Sequence, residues 1–115
     1  MSYMLLIVEP PGQRRERTDE EGHAVYQRMV DYGMDLTRRG LLAASNSLKS
    51  EGVRLKKSNG RAQLIDGPFS ESKEFVGGFF LLNCKTREEA LALATECPAA
   101  EWATIEVREI GPCYE

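Results

Sequence analysis

Tyr3–Val8 reads YMLLIV, six apolar residues in a row, stopped by Glu9-Pro10-Pro11-Gly12. A run of that length, ended by prolines and a glycine, predicts a buried strand. Leu5 and Ile7 leave it on one side, while Met4, Leu6 and Val8 leave it on the other. The run Gly78–Cys84, GFFLLNC, repeats the pattern, with Phe79 and Leu81 opposed to Phe80 and Leu82. A strand that is apolar on both sides belongs in a sheet covered on both faces.

The elements between and after these two runs set the topology. Glu9 to Thr18 reads as a polar loop, and Asp19-Glu20-Glu21 then open a helix, where acidic residues suit the positive end of the dipole. Val25, Met29, Tyr32 and Leu36 fall at helical spacing, and Arg38-Arg39-Gly40 close the helix. Leu41 to Ser47 reads as a second strand. Val53–Lys57 and Arg61–Ile65 flank Ser58-Asn59-Gly60, and Asn-Gly between extended runs signals a hairpin. Thr86-Arg87-Glu88-Glu89 has the capping-box pattern, with Ala90, Leu93, Ala94 and Cys97 as an inner stripe before Pro98. Ala103 to Ile110 alternates as a closing strand, with Ile105 and Val107 on one side and Glu106 and Arg108 on the other.

Strand, helix, strand, hairpin, strand, helix, strand gives two β-α-β halves with a hairpin inserted. The expected fold is an α+β ferredoxin-like sandwich, an antiparallel sheet with both helices on one face, formed by residues 1–115 as a single domain. Two helices cover only one face. The other predicts a homodimer with the sheets of two copies facing each other.

Composition narrows the function. With 15 Lys and Arg against 18 Asp and Glu, a net charge of −3 argues against nucleic acid. Arg14 to Arg17, RRER, reads as a solvated basic cluster diluted by Asp19, Glu20 and Glu21. No apolar run reaches membrane-spanning length, and the start lacks the basic region of a signal peptide. Cys84, Cys97 and Cys113 are odd in number and form no CxxC pair, which suits reduced thiols in the cytoplasm. One histidine and scattered carboxylates make no metal constellation, and Gly77-Gly78 lacks phosphate-loop spacing; no cofactor is expected. The glycine pair reads instead as a bulge or a close backbone approach.

Leu64–Phe80, LIDGPFSESKEFVGGFF, carries the chemistry. Asp66-Gly67-Pro68 is turn chemistry whose carboxylate also suits a base or a ligand acceptor. Asp66-Gly67-Pro68-Phe69 with Glu71, Lys73, Glu74 and Gly77-Gly78-Phe79 resembles the signature of the DGPF group of YCII-related proteins. EEALALATECPAA, IEVREI and YMLLI extend the resemblance over nearly the whole chain.

The resemblance implies a dimeric α+β barrel of ferredoxin-like protomers, often encoded beside extracytoplasmic-function sigma factors. Some relatives in the wider superfamily look like enzymes, one type removing chloride from a ring-cleavage intermediate, with a His-Asp pair proposed as active centre. Asp66 matches that aspartate. The sole histidine, His23, stands six residues before Met29, near which the wider family's histidine sits. The candidate catalytic residues are therefore Asp66 and, as an outside general base, His23. Phe69, Lys73, Glu74, Glu106 and Arg108 are the candidate ligand-binding residues, Arg108 for the planar fork that receives a carboxylate or phenolate. The expected function is binding of a small polar or aromatic molecule between the sheets, with cofactor-independent lyase, isomerase or dehydrochlorinase chemistry at Asp66. The alternative is a non-catalytic regulatory protein acting with a sigma factor.

Overall fold

The fold was analysed in a computed structural model that describes residues 2–67 and 73–114. Phe69, with the expected cap at Ser70, lies outside the described residues. Strand β1 (Tyr3–Glu9) leads into a one-turn helix α1 (Gln13–Glu16) and the 20-residue helix α2 (Asp19–Arg38). Strand β2 (Leu42–Ser47) precedes a hairpin of β3 (Val53–Ser58) and β4 (Arg61–Asp66). Strand β5 (Phe75–Leu82), helix α3 (Arg87–Glu96), a 3-10 turn (Pro98–Glu101) and strand β6 (Thr104–Glu109) complete the chain.

Four strands form one antiparallel sheet in the order β2-β5-β1-β6, the ferredoxin-like arrangement expected. Among the described residues, strands β3 and β4 pair only with each other. Their turn uses Asn59 and Gly60, both at positive φ (51° and 78°), as a two-residue type I′ connection requires.

The strand parity read from the sequence decides the packing. Tyr3, Leu5 and Ile7 point towards the helices and are buried, together with Phe80 and Leu82. Tyr32 and Leu36 of α2 and Ala90, Leu93 and Ala94 of α3 close over them. Tyr32 meets Phe80 edge to face, centroids 5.2 Å apart, and donates its hydroxyl to the Leu93 carbonyl at 2.6 Å. Burial holds that phenol well above its ordinary pKa. Met4, Leu6, Val8, Phe79 and Leu81 project from the opposite face and stay only partly covered.

Local expectations needed three corrections. The loop before α2 contains helix α1. The complete capping box lies at α2: Thr18 Oγ1 accepts from Glu21 N (3.1 Å), and Glu21 Oε1 accepts from Thr18 N (2.8 Å). At α3 only half a box forms. Thr86 Oγ1 accepts from Glu89 N, whereas the Glu89 carboxylate takes the Lys85 N–H. Finally, the RRER cluster is not uniformly solvated, because Arg14 turns inward.

Candidate functional site

Strand β1 places one carboxylate where the parity of its apolar residues sends it. Glu9 follows Tyr3, Leu5 and Ile7 at the same two-residue interval, and is the one buried charged residue among those described, at 5% exposure. A carboxylate so placed requires a partner. Helix α1 supplies it: Arg14 Nε donates to Glu9 Oε1 at 3.0 Å and Nη2 to Oε2 at 2.6 Å, a bidentate fork. The same guanidinium donates to the Leu48 carbonyl (2.7 Å) and the Gly77 carbonyl (3.1 Å), and lies over the Phe75 ring at 5.2 Å. One side chain thus ties the ends of β1 and β2 to the start of β5.

The glycine pair completes this corner. Pairing between β1 and β5 shifts from Ile7↔Gly78 to Val8↔Val76, so Gly77 is the extra, bulged residue. A Cβ at Gly77 would overlap Glu9 Oε2 and crowd Arg14. At Gly78 it would stand 3.1 Å from the Asn46 carbonyl oxygen. Both readings of the pair, bulge and close approach, hold.

Above this corner opens a cleft of about 820 Å³ between α2 and the β2 side of the sheet. Its floor is Ile7, Glu9, Gly77, Gly78 and Phe80, with Leu42, Ser45 and Ser47 along β2. Its roof is α2: Val25 and Met29 of the stripe that faces the core, and beside them a second, displaced stripe of Gly22, Tyr26, Val30, Gly33, Met34 and Thr37. The two glycines hold no bulk against the sheet. A Cβ at Gly22 meets nothing within 4 Å, and one at Gly33 approaches only Phe80 and Leu42, at 3.6 and 4.0 Å. Tyr26 and Met34 remain more than half exposed. Trp102 and Arg17 stand at one end, the guanidinium carbon 5.7 Å from the ring centroid. Arg28 approaches the same ring at 5.5 Å and is held by Glu101. The arrangement can take an apolar, ring-sized body, with a buried acceptor at its floor and a cation at its mouth.

The residues singled out in the sequence fall elsewhere. Asp66 is exposed at the end of β4, where Gly67 N donates to Gly52 O at 2.8 Å. His23 is exposed on the first turn of α2, its Nδ1 2.7 Å from the Asp19 carbonyl oxygen. Glu106 and Arg108 project from the outer sheet face, 3.8 Å apart and largely solvated. Lys73 and Glu74 border a separate concavity with Val8, Gln13, Trp102 and Thr104. None of these six lines the cleft. Cys84 and Cys97 are buried, which pushes their thiols up, and Cys113 is exposed. Among the described residues no three His, Cys, Asp or Glu group as metal ligands, and no helix is long and apolar enough to cross a membrane.

The sequence reading missed Glu9, Arg14 and the second stripe of the α2 roof. Glu9 carried a signal, since the alternation Tyr3-Leu5-Ile7 continues to it. Arg14 carried none, being one cation among three in RRER.

Comparison with known proteins gives a family and little chemistry. Residues 1–113 match the family described as the YCII-related domain. An uncharacterised protein of Rhizobium meliloti (strain 1021) is 40% identical over 59 residues, 50% of this chain and 48% of that protein. The chain thus matches about half the length of that relative.

Proposed function

The chain belongs to the YCII-related family, and we propose that it binds a small aromatic or otherwise ring-sized acid in the cleft beneath α2. The observation that carries this reading is the pairing of an apolar cleft of about 820 Å³ with a buried, Arg14-clamped carboxylate at its floor. A volume of that order suits a small organic ligand. The apolar body lies between the α2 roof and Phe80. A hydroxyl or amine donates to Glu9, and an anionic group meets Arg17 at the mouth.

The outer sheet face belongs to a second part of the reading. Met4, Leu6, Val8, Phe79 and Leu81 form an apolar surface that two-fold association of two copies would cover. Proton transfer of the lyase, isomerase or dehydrochlorinase kind at Asp66, which does not line the cleft, belongs to a ligand held between the sheets of two such copies. A turnover screen of bound ligands with Asp66→Asn tests that step: unchanged turnover in the variant removes Asp66 from the chemistry.

Binding itself is read at the single tryptophan, Trp102. Titration with hydroxylated aromatic acids is expected to shift its indole N–H resonance and raise the unfolding temperature. Gly33→Leu, which fills the roof, is expected to abolish both effects while leaving the circular dichroism unchanged. Equal shifts in the wild type and Gly33→Leu would place the ligand outside the cleft and end this reading.

A further inference from the structure

We infer that the β3–β4 hairpin is an arm that packs on a second copy of this chain. Its register separates two faces. Val53, Leu55, Ala62 and Leu64 share one side with Lys57 and Asp66, while Arg54, Lys56, Ser58, Arg61 and Gln63 share the other with Ile65. Between Asp66 at one end and Lys57 at the other the first face is apolar, yet Val53, Leu55 and Leu64 are 59%, 60% and 65% exposed. An isolated two-stranded hairpin is at best marginally stable in water, so a six-residue pair with one apolar face calls for a surface to lie on.

Among the described residues, the protomer's own body does not provide that surface. The molecule measures 47 × 43 × 18 Å, and its thin dimension is that of one helix layer on one sheet. The arm therefore extends sideways from the body instead of folding over it. The Cα radius of gyration of the chain, 16.0 Å, exceeds the roughly 13 Å of a compact chain of this length.

Charge selects the occupant. Lys49, Arg54, Lys56, Lys57 and Arg61 stand against Glu51 and Asp66, so residues 49–66 carry a net +3. The whole chain carries −3, leaving −6 on the remainder. A basic arm on an acidic body is complementary to another copy of itself, and in a two-fold pair each arm meets the other's body. The inference rests on the dimer proposed above and extends that interface beyond the sheet faces.

The test is photo-cross-linking of an equimolar mixture of unlabelled and 15N-labelled protein with p-benzoylphenylalanine in place of Leu55, alongside dissociation constants by analytical ultracentrifugation. Cross-linked dimers joining one light and one heavy chain are expected. The double variant Leu55→Glu/Leu64→Glu is expected to weaken the dimer at least about tenfold, since burial of either leucine contributes more than that factor requires. Cross-links confined to single chains, or a double variant that dissociates like the wild type, would overturn the arm. If Leu6→Glu on the outer sheet face dissociates the dimer while the arm variant does not, the sheet-face dimer stands and the arm fails. A monomeric wild type removes both and leaves the cleft untouched. Should the double variant not fold, the cross-linking result alone decides.

Discussion

At the scale of single residues, the corner of Glu9, Arg14 and Gly77 sets the most demanding constraint. The carboxylate is buried because strand parity sends it inward, and it is tolerated because the Arg14 fork neutralises it. The fork fits because residue 77 has no side chain. Gly77→Ala is therefore expected to cost about 2–4 kcal/mol, by overpacking and by displacing the pair. The measurement is a urea midpoint at unchanged slope. Gly52→Ala, where a Cβ meets nothing within 4 Å, is the control and should stay within about 0.5 kcal/mol. Equal midpoints for the two variants would refute this account. Half of this corner was legible beforehand. The glycine pair announced a bulge, and Glu9 could have been counted into the alternation of its strand. Arg14 could not, because pairing across 63 positions to Gly77 leaves no local trace in RRER.

At the scale of elements, α2 shows why periodicity finds a helix but not a cleft. The stripe Val25-Met29-Tyr32-Leu36 marks the core face, and its buried members are where that stripe predicts. The neighbouring stripe mixes glycines, Val30 and Met34, and its role follows only from how far the helix stands off the sheet. Glycine in a helix interior costs about 0.5–1 kcal/mol relative to alanine. Gly22→Ala adds a methyl group into open space and should return that amount, raising the unfolding temperature by several degrees. A fall would mean that residue 22 has an undetected neighbour. The caps also make α2 sensitive to acid. Hydrogen bonds from Thr18 hold Glu21 below its ordinary pKa, those from Arg39 and Arg38 do so for Asp35, and that from Arg28 does so for Glu101. A carboxylate with a depressed folded pKa contributes stability above its unfolded pKa and loses it as pH falls through the folded one. Unfolding temperature should thus hold from neutrality down to about pH 5 and fall below about pH 4, near the unfolded carboxylate values. Glu21→Gln and Glu101→Gln should each flatten that fall. Undiminished slopes in both variants would show that these contacts do not form in solution.

At the scale of the whole molecule, one argument connects the sequence to assembly. Element order and strand parity were legible because periods of 2 and 3.6 are local properties, and they fixed the ferredoxin-like sheet with Leu5 and Ile7 inward. The same parity leaves Met4, Leu6, Val8, Phe79 and Leu81 on a face that no described element of this chain covers. The hairpin was legible as a hairpin, since Asn59-Gly60 dictates its turn, but its separation from the sheet was not, because pairing partners are tertiary facts. Both features bear on the proposed association, and association has a thermodynamic signature that a monomer lacks. If two copies fold and pair together, raising total concentration favours the native state by mass action. A hundredfold increase, from about 1 to about 100 μM, is worth about 2.8 kcal/mol, at 1.4 kcal/mol per factor of ten. That increment should raise the unfolding temperature by several degrees. Leu6→Glu, which sets a charge at the centre of the uncovered face, should make the transition independent of concentration. A wild-type transition that stays fixed across the same hundredfold range would mean that the apolar outer face tolerates water, and that the parity argument stops at the protomer.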